Sequence, residues 1–383
     1  MVPPPGAKRK KREKTILFMR QLFKTMLLVA GFAATLLSCG KAPVDGPAMQ
    51  GGGDPADESR GTMAITLGGA AIQTKMTGIY DANESRVDHW SYWVFNDENW
   101  AIKCGEGSSS LHEEVTLLTG DYTIVILANY PTSGIWAVPL RAGITKSTLL
   151  SRVSDLSSNT YNCFLMEGEK SVTIEADEVT PIEIKIARMV SKVGVRKISV
   201  NYTKPSLAAK TTTLRGIYLT NLYRTTRYGT DYADTELDAT RSKWYNSMGW
   251  HRWDSEQVSS EIDALVGDRG LSINISSSAP HEQAHYFYCY PNPSKKENDT
   301  HDISAWSVRS SRLIIETEVD GKAYYYQVQL PPMRRNTPYV AAEVIIRDLG
   351  SMDPEDIIPG SLDVTFSTST DGWEGNYSVT EES

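Results

Sequence analysis

The chain has 383 residues, 40% hydrophobic and 22% charged, with 28 Gly and 18 Pro, which is too long for one average domain and about right for two. This composition excludes a multi-span membrane protein, a collagen and a global coiled coil, and four Cys are too few for a disulfide scaffold. The net charge of −8 conceals an asymmetry: residues 1–38 hold eight Lys/Arg and one acid, leaving 31 basic against 46 acidic residues beyond them, a balance of −15. An acidic body argues against nucleic acid as a partner, because phosphates demand cationic groups.

Residues 19–39 read as an export signal. Arg20 and Lys24 form a basic start, and Met26 to Leu37 is an apolar run, short of the ~20 residues a spanning helix needs. Leu36-Leu37-Ser38-Cys39 closes it. An apolar residue, a small residue and then Cys make a bacterial lipobox, which assigns diacylglycerol transfer to the Cys39 thiol and cleavage before it. Residues 1–38 are thus read as a signal peptide, with two readings of residues 1–18: a true start at Met19, or a long basic leader. Lipidated Cys39 anchors a chain to a membrane without spanning it. Residues 39–61 are rich in Gly, Pro and Asp without apolar periodicity and read as a flexible tether.

From residue 62 onward the pattern is β. Short runs such as TMAITL (62–67), WSYWVF (90–95), DYTIVILAN (121–129), PIEIKIA (181–187), KVGVRKISVNY (192–202), TLRGIYLTNLY (213–223), SRLIIETEV (311–319), YVAAEVIIRDL (339–349) and SLDVTFSTS (361–369) are separated by turn residues. Their length and spacing predict β-sandwiches, not βαβ units. Helix is expected only over 146–156 and 256–266, about three turns each. A boundary near 188–191 divides the β region into an N-terminal sandwich, 62–188, and a C-terminal one, 189–383.

Few residues have chemistry to offer. His281-Glu282-Gln283-Ala284-His285 matches the HExxH zinc-protease pattern, which requires a helix. Pro280 and the aromatic run Tyr286–Tyr290 predict a turn leading into a strand, which would put the two His ~13 Å apart. No metal, cofactor or enzymatic activity is therefore expected. Beyond the lipobox, Cys104, Cys163 and Cys289 are odd in number, so at least one is unpaired within the chain. A Cys104–Cys163 bridge and three inert thiols both stay open. The carboxylates Asp353, Glu355 and Asp356 read as a solvated turn. Trp244, Tyr245, Trp250 and Trp253 cluster within ten residues and either stack on a ligand such as a sugar or clamp a long loop onto the sandwich.

Several segments, taken in order, resemble the fimbrillin family, the lipoprotein precursors of type V pili of Bacteroidales-type bacteria. They are WSYWVFND (90–97), LLTGDYTIVILANYPTSG (117–134), FLMEGEKSVTIEA (164–176), IKIARMVSKVGVRKISV (184–200), GIYLTNL (216–222) and RRNTPYVAAEVIIRDLG (334–350), followed by GSLDVTFST and Trp373. Each motif alone is weak; the lipobox followed by all of them is fairly specific. The resemblance implies an all-β protein of two transthyretin-like β-sandwich domains. It also implies an outer-membrane lipoprotein precursor that becomes part of a cell-surface fimbrium used in adhesion. In the family, a protease cuts after a basic residue and removes the first strand, and a strand from another pilus subunit fills the groove by β-augmentation.

Carried to this chain, the first strand is 62–67, with Met63, Ile65 and Leu67 alternating on one face to fill the groove. Cleavage after Lys75, cleavage after Arg86 and no processing are the alternatives. Leu362, Val364 and Phe366 are the apolar face of a C-terminal donor strand, while 375–383 is polar apart from Tyr377 and Val379. A non-polymerising anchor or tip component and a surface glycan-binding lipoprotein using the 244–253 aromatics are the competing readings.

Overall fold

The computed structural model describes residues 59–68, 82–107, 110–161, 163–229, 244–245, 264–293, 310–354, 356 and 358–368. Residues 1–58, with Cys39, lie outside these, as do Lys75, Trp250, Trp253, Tyr377 and Val379. Among the described residues, no helix is long and apolar enough to cross a membrane.

The first half of the chain supplies β1 (Arg60–Gly68), β2 (Trp90–Phe95), β3 (Ala101–Glu106), β4 (His112–Leu118), β5 (Gly120–Ala128), β6 (Val153–Asp155), β7 (Met166–Ile174), β8 (Val179–Lys185) and β9 (Ala187–Arg188). The second supplies β10 (Ser191–Val195), β11 (Ile198–Val200), β12 (Thr212–Thr220), β13 (Leu222–Tyr223), β14 (Thr225–Arg227), β15 (Trp244–Tyr245), β16 (Gly267–Ile275), β17 (His285–Cys289), β18 (Arg312–Val319), β19 (Lys322–Gln329), β20 (Pro338–Ile346) and β21 (Leu362–Ser367).

These strands form an all-β sandwich architecture. The first half builds a five-stranded sheet, β3-β2-β5-β7-β9, and a three-stranded one, β4-β1-β8. In the second half β10 and β11 lie along the same edge of β20, β17 flanks β10, and β21 pairs with β20; a second sheet runs β16-β12-β18-β19. One hydrophobic cluster runs through both halves, from Met63 and Trp93 to Leu219 and Tyr326. All six residues of β2 are buried, as expected for a central strand covered on both faces. The outer strands β4 and β8 bury alternate residues only, the pattern of a sheet with one wet face.

A small ribbon stitches the halves together. Strand β6 pairs antiparallel with β14, Thr225 opposite Asp155. This corrects the helix expected over 146–156: the helix is only α1 (Lys146–Leu150), capped by the Thr145 side chain. Ser154 and Asp155 then leave helical geometry to pair with the second half, and the Asp155 carboxylate accepts from the Ser157 amide at 2.9 Å and from Arg224 Nε at 2.6 Å. Ser and Asp compete for backbone partners and tertiary pairing overrides propensity. Of the second expected helix, 264–266 is helical and runs straight into β16; residues 256–263 lie outside the described residues.

The three thiols beyond the lipobox are free, so Cys104 and Cys163 do not pair. Burial pushes the Cys163 thiol up to about 11 and the Cys289 thiol up to about 12, which leaves both protonated and unreactive near neutral pH.

Candidate functional site

The site is built around β1. It lies between β4, to which it is antiparallel, and β8, to which it is parallel. Met63, Ile65 and Leu67 are buried along one face, while between them Thr62 is half-buried, Ala64 buried and Thr66 exposed. Met63 stands opposite Val115 of β4, while Ile65 and Leu67 stand opposite Ile182 and Ile184 of β8. All seven core-facing residues of this sheet, including Leu117, are at most 4% exposed. The ends are tied by backbone bonds, Thr62 N to Glu178 O at 2.8 Å and Leu67 N to Leu111 O at 2.9 Å. Gly61 permits the close approach at the start: a Cβ there would lie 2.1 Å from the Glu175 carbonyl oxygen.

This arrangement has one chemical capability. Withdrawing β1 leaves β4 and β8 with facing rows of unpaired amides and carbonyls above an open apolar floor. Such a double edge is a template for another strand.

Downstream of β1, the stretch Ala82-Asn83-Glu84-Ser85 forms a 3-10 turn and holds the second element of the site. Glu84 is fully buried, as is Lys192 of β10. The Lys192 ammonium donates to Glu84 Oε1 at 2.6 Å, and Tyr288 Oη of β17 donates to the same oxygen at 2.6 Å. Arg188, also fully buried, donates from Nε to the Glu84 carbonyl at 2.7 Å. Burial and the Glu84 charge hold the Tyr288 hydroxyl well above its ordinary pKa. Here one carboxylate faces an ammonium, and a guanidinium binds the adjacent backbone.

Asn129 continues the tie. Its backbone is left-handed, φ 56°, a conformation Asn tolerates. Its Nδ2 donates to the Arg86 carbonyl at 2.7 Å and to the Phe164 carbonyl at 2.9 Å, while its Oδ1 accepts from the Asp88 amide at 2.8 Å. The Arg86 side chain is exposed and pairs with Asp88.

Sequence reasoning missed this cluster. ANESRV reads as a polar stretch, and Lys192 sits in an apolar strand with nothing local to betray its partner. The expected position of HExxH also needs correction. His281 and His285 are not ~13 Å apart; their Nε2 atoms are 2.7 Å apart. The reason is that residues 282–284 are irregular and the strand begins only at His285, so the rings turn toward each other. His285 Nδ1 is 2.9 Å from Asp268 Oδ2. Among the described residues, no group of three or more His, Cys, Asp or Glu side chains has the geometry to hold a metal.

The His pair makes stability pH-dependent. Burial holds both imidazoles below the ordinary histidine value, with Asp268 opposing the shift. The unfolded chain therefore binds protons more readily, and stability is lost as pH falls below about 6.5. The urea midpoint is expected to drop between pH 7 and pH 5, and to drop less in His281→Gln. Equal drops would remove the pair as a cause.

Of the four loop aromatics, Trp244 and Tyr245 form β15, whose backbone pairs with Tyr223 and Leu222; Trp250 and Trp253 lie outside the described residues. Leu362, Val364 and Phe366 are the half-buried residues of β21, opposite Ile346, Val344 and Ala341 of β20.

No protein-family model matches the sequence, and no curated protein matches it. Solved structures do match. A fimbrilin from Porphyromonas gingivalis W83 aligns with a TM-score of 0.53 at 14% identity, covering 81% of this chain and 97% of that one. The chain has the fimbrilin fold. A structure described as a putative cell adhesion protein from Bacteroides eggerthii DSM 20697 aligns with a TM-score of 0.55 at 15% identity, covering 82% of this chain and 97% of that one.

Proposed function

We propose that this chain is the precursor of a structural, non-enzymatic subunit of a cell-surface pilus that serves adhesion, assembled by removal of β1 and insertion of a strand from another subunit. The observation that carries this reading is β1 itself, the first strand of the described residues and the central one of its sheet, with Met63, Ile65 and Leu67 filling the slot between β4 and β8. The fold shared with a fimbrilin supports it. Processing falls after Lys75 or Arg86, the two basic residues between β1 and β2. The lipid on Cys39 holds the precursor in the outer membrane until a protease acts. The partners are that protease and other pilus subunits, and β21 supplies the donated face through Leu362, Val364 and Phe366.

N-terminal sequencing of protein from the cell surface and from shed filaments tests this. A start downstream of Gly68 is expected in filaments. A lipidated Cys39 as the only form would overturn polymerisation and leave a membrane-held anchor.

A further inference from the structure

We infer that Glu84 and Asn129 decide which basic residue is processed, by locking the Arg86–Val87 peptide bond against proteolysis. The inference takes its biological meaning from the processing reading above, but its physical basis is independent of assembly. A protease binds several residues on both sides of the scissile bond in an extended, accessible form. Cleavage therefore concentrates where the backbone is free of other partners.

The backbone around Arg86 is engaged on both sides. Upstream, the Glu84 carbonyl accepts from Arg188 Nε at 2.7 Å, and its buried carboxylate accepts from Lys192 and Tyr288, each at 2.6 Å. At the bond itself, the Arg86 carbonyl, which an oxyanion hole would have to capture, already accepts from Asn129 Nδ2 at 2.7 Å. Downstream, the Asp88 amide donates to Asn129 Oδ1 at 2.8 Å and the His89 carbonyl accepts from the Asn129 amide at 2.9 Å. The exposed Arg86 side chain offers a trypsin-like enzyme its preferred residue on a peptide bond that cannot be presented without local unfolding of residues 84–89. Between Gly68 and Glu84 the sequence holds one other basic residue, Lys75, and the lock directs processing there.

The test treats the native full chain with trypsin and follows the Arg86–Val87 bond by N-terminal sequencing, against a synthetic peptide of residues 80–92. In the native chain this bond is expected to be cut at least ~100-fold more slowly than in the peptide. Asn129→Gly, which keeps the left-handed backbone but removes the side-chain clamps, and Glu84→Gln are each expected to raise the rate at least tenfold while unfolding stays cooperative. Cutting as fast as in the peptide, or no change in both folded variants, overturns the inference. Hydrogen exchange at the Asp88 amide needs no variant: protection is expected, and a random-coil rate overturns it. The two readings fail separately. Filaments starting at Val87 sink the lock and leave processing intact. An unprocessed chain whose Arg86–Val87 bond still resists trypsin sinks processing and leaves the lock.

Discussion

Ile65→Asp is expected to destabilise the precursor by more than about 4 kcal/mol, a large share of the ~5–15 kcal/mol that keeps a domain of ordinary stability folded. Ile65 is fully buried at the midpoint of β1. The substitution removes a side chain whose burial contributes ~1.5–3 kcal/mol and places a carboxylate with no cationic partner between Glu113 of β4 and Ile182 of β8. Thr66→Asp, one position along and exposed, is expected to change stability by less than about 0.5 kcal/mol. The contrast tests the period of the strand. A chain trimmed of β1 adds the decisive comparison: a peptide of residues 60–68 is expected to bind it and raise its unfolding temperature, whereas the same peptide with Ile65→Asp is not. Equal binding by both would mean that Met63, Ile65 and Leu67 do not fill the groove.

Glu84→Ala is the second large effect, expected at about 3–5 kcal/mol because it strands a fully buried ammonium, Lys192, without its counter-charge. Lys192→Met alone strands Glu84 and is expected to cost a similar amount. The double change Glu84→Ala with Lys192→Met removes both charges and is expected to recover most of either loss, as charge pairs replaced by apolar groups commonly do. Arg188 keeps its bond to the Glu84 carbonyl, but the buried Tyr288 hydroxyl loses its acceptor, Glu84 Oε1, so recovery is incomplete. Urea unfolding of the four chains measures it. Additive single losses would show that Glu84 and Lys192 do not act as a pair.

Much of this fold is written in local patterns. The alternation in β1, β4 and β8 and the fully apolar run of β2 announce themselves because the period of two is imposed by the pleat. The position of β1 and the burial of Met63, Ile65 and Leu67 are legible for the same reason. What escapes are partnerships set by tertiary structure. Residues 151–156 look helical until β14 offers Ser154 and Asp155 a better partner. Glu84 looks solvated because nothing near it in sequence is cationic except Arg86, whose side chain turns outward. Its partners come from β9, β10 and β17. An extended backbone would hold His281 and His285 apart, but residues 282–284 do not adopt one. Buried polar contacts between distant residues carry no local signature, and here they hold the segment that leads from β1 to β2.

The two strands that flank β1 would impose a symmetry on any strand that took its place, as the proposed assembly requires. Because β1 is antiparallel to β4 and parallel to β8, β4 and β8 run in opposite directions. An incoming strand of either polarity therefore gains one antiparallel and one parallel ladder. The main chain cannot choose between head-first and tail-first insertion beyond the small difference between the two ladder types. Polarity and register must be read by side chains, by how an occupant's apolar residues interdigitate with Val115, Leu117, Ile182 and Ile184. A slip of one residue would turn that apolar face to water. Those four residues are the ones any occupant would have to match.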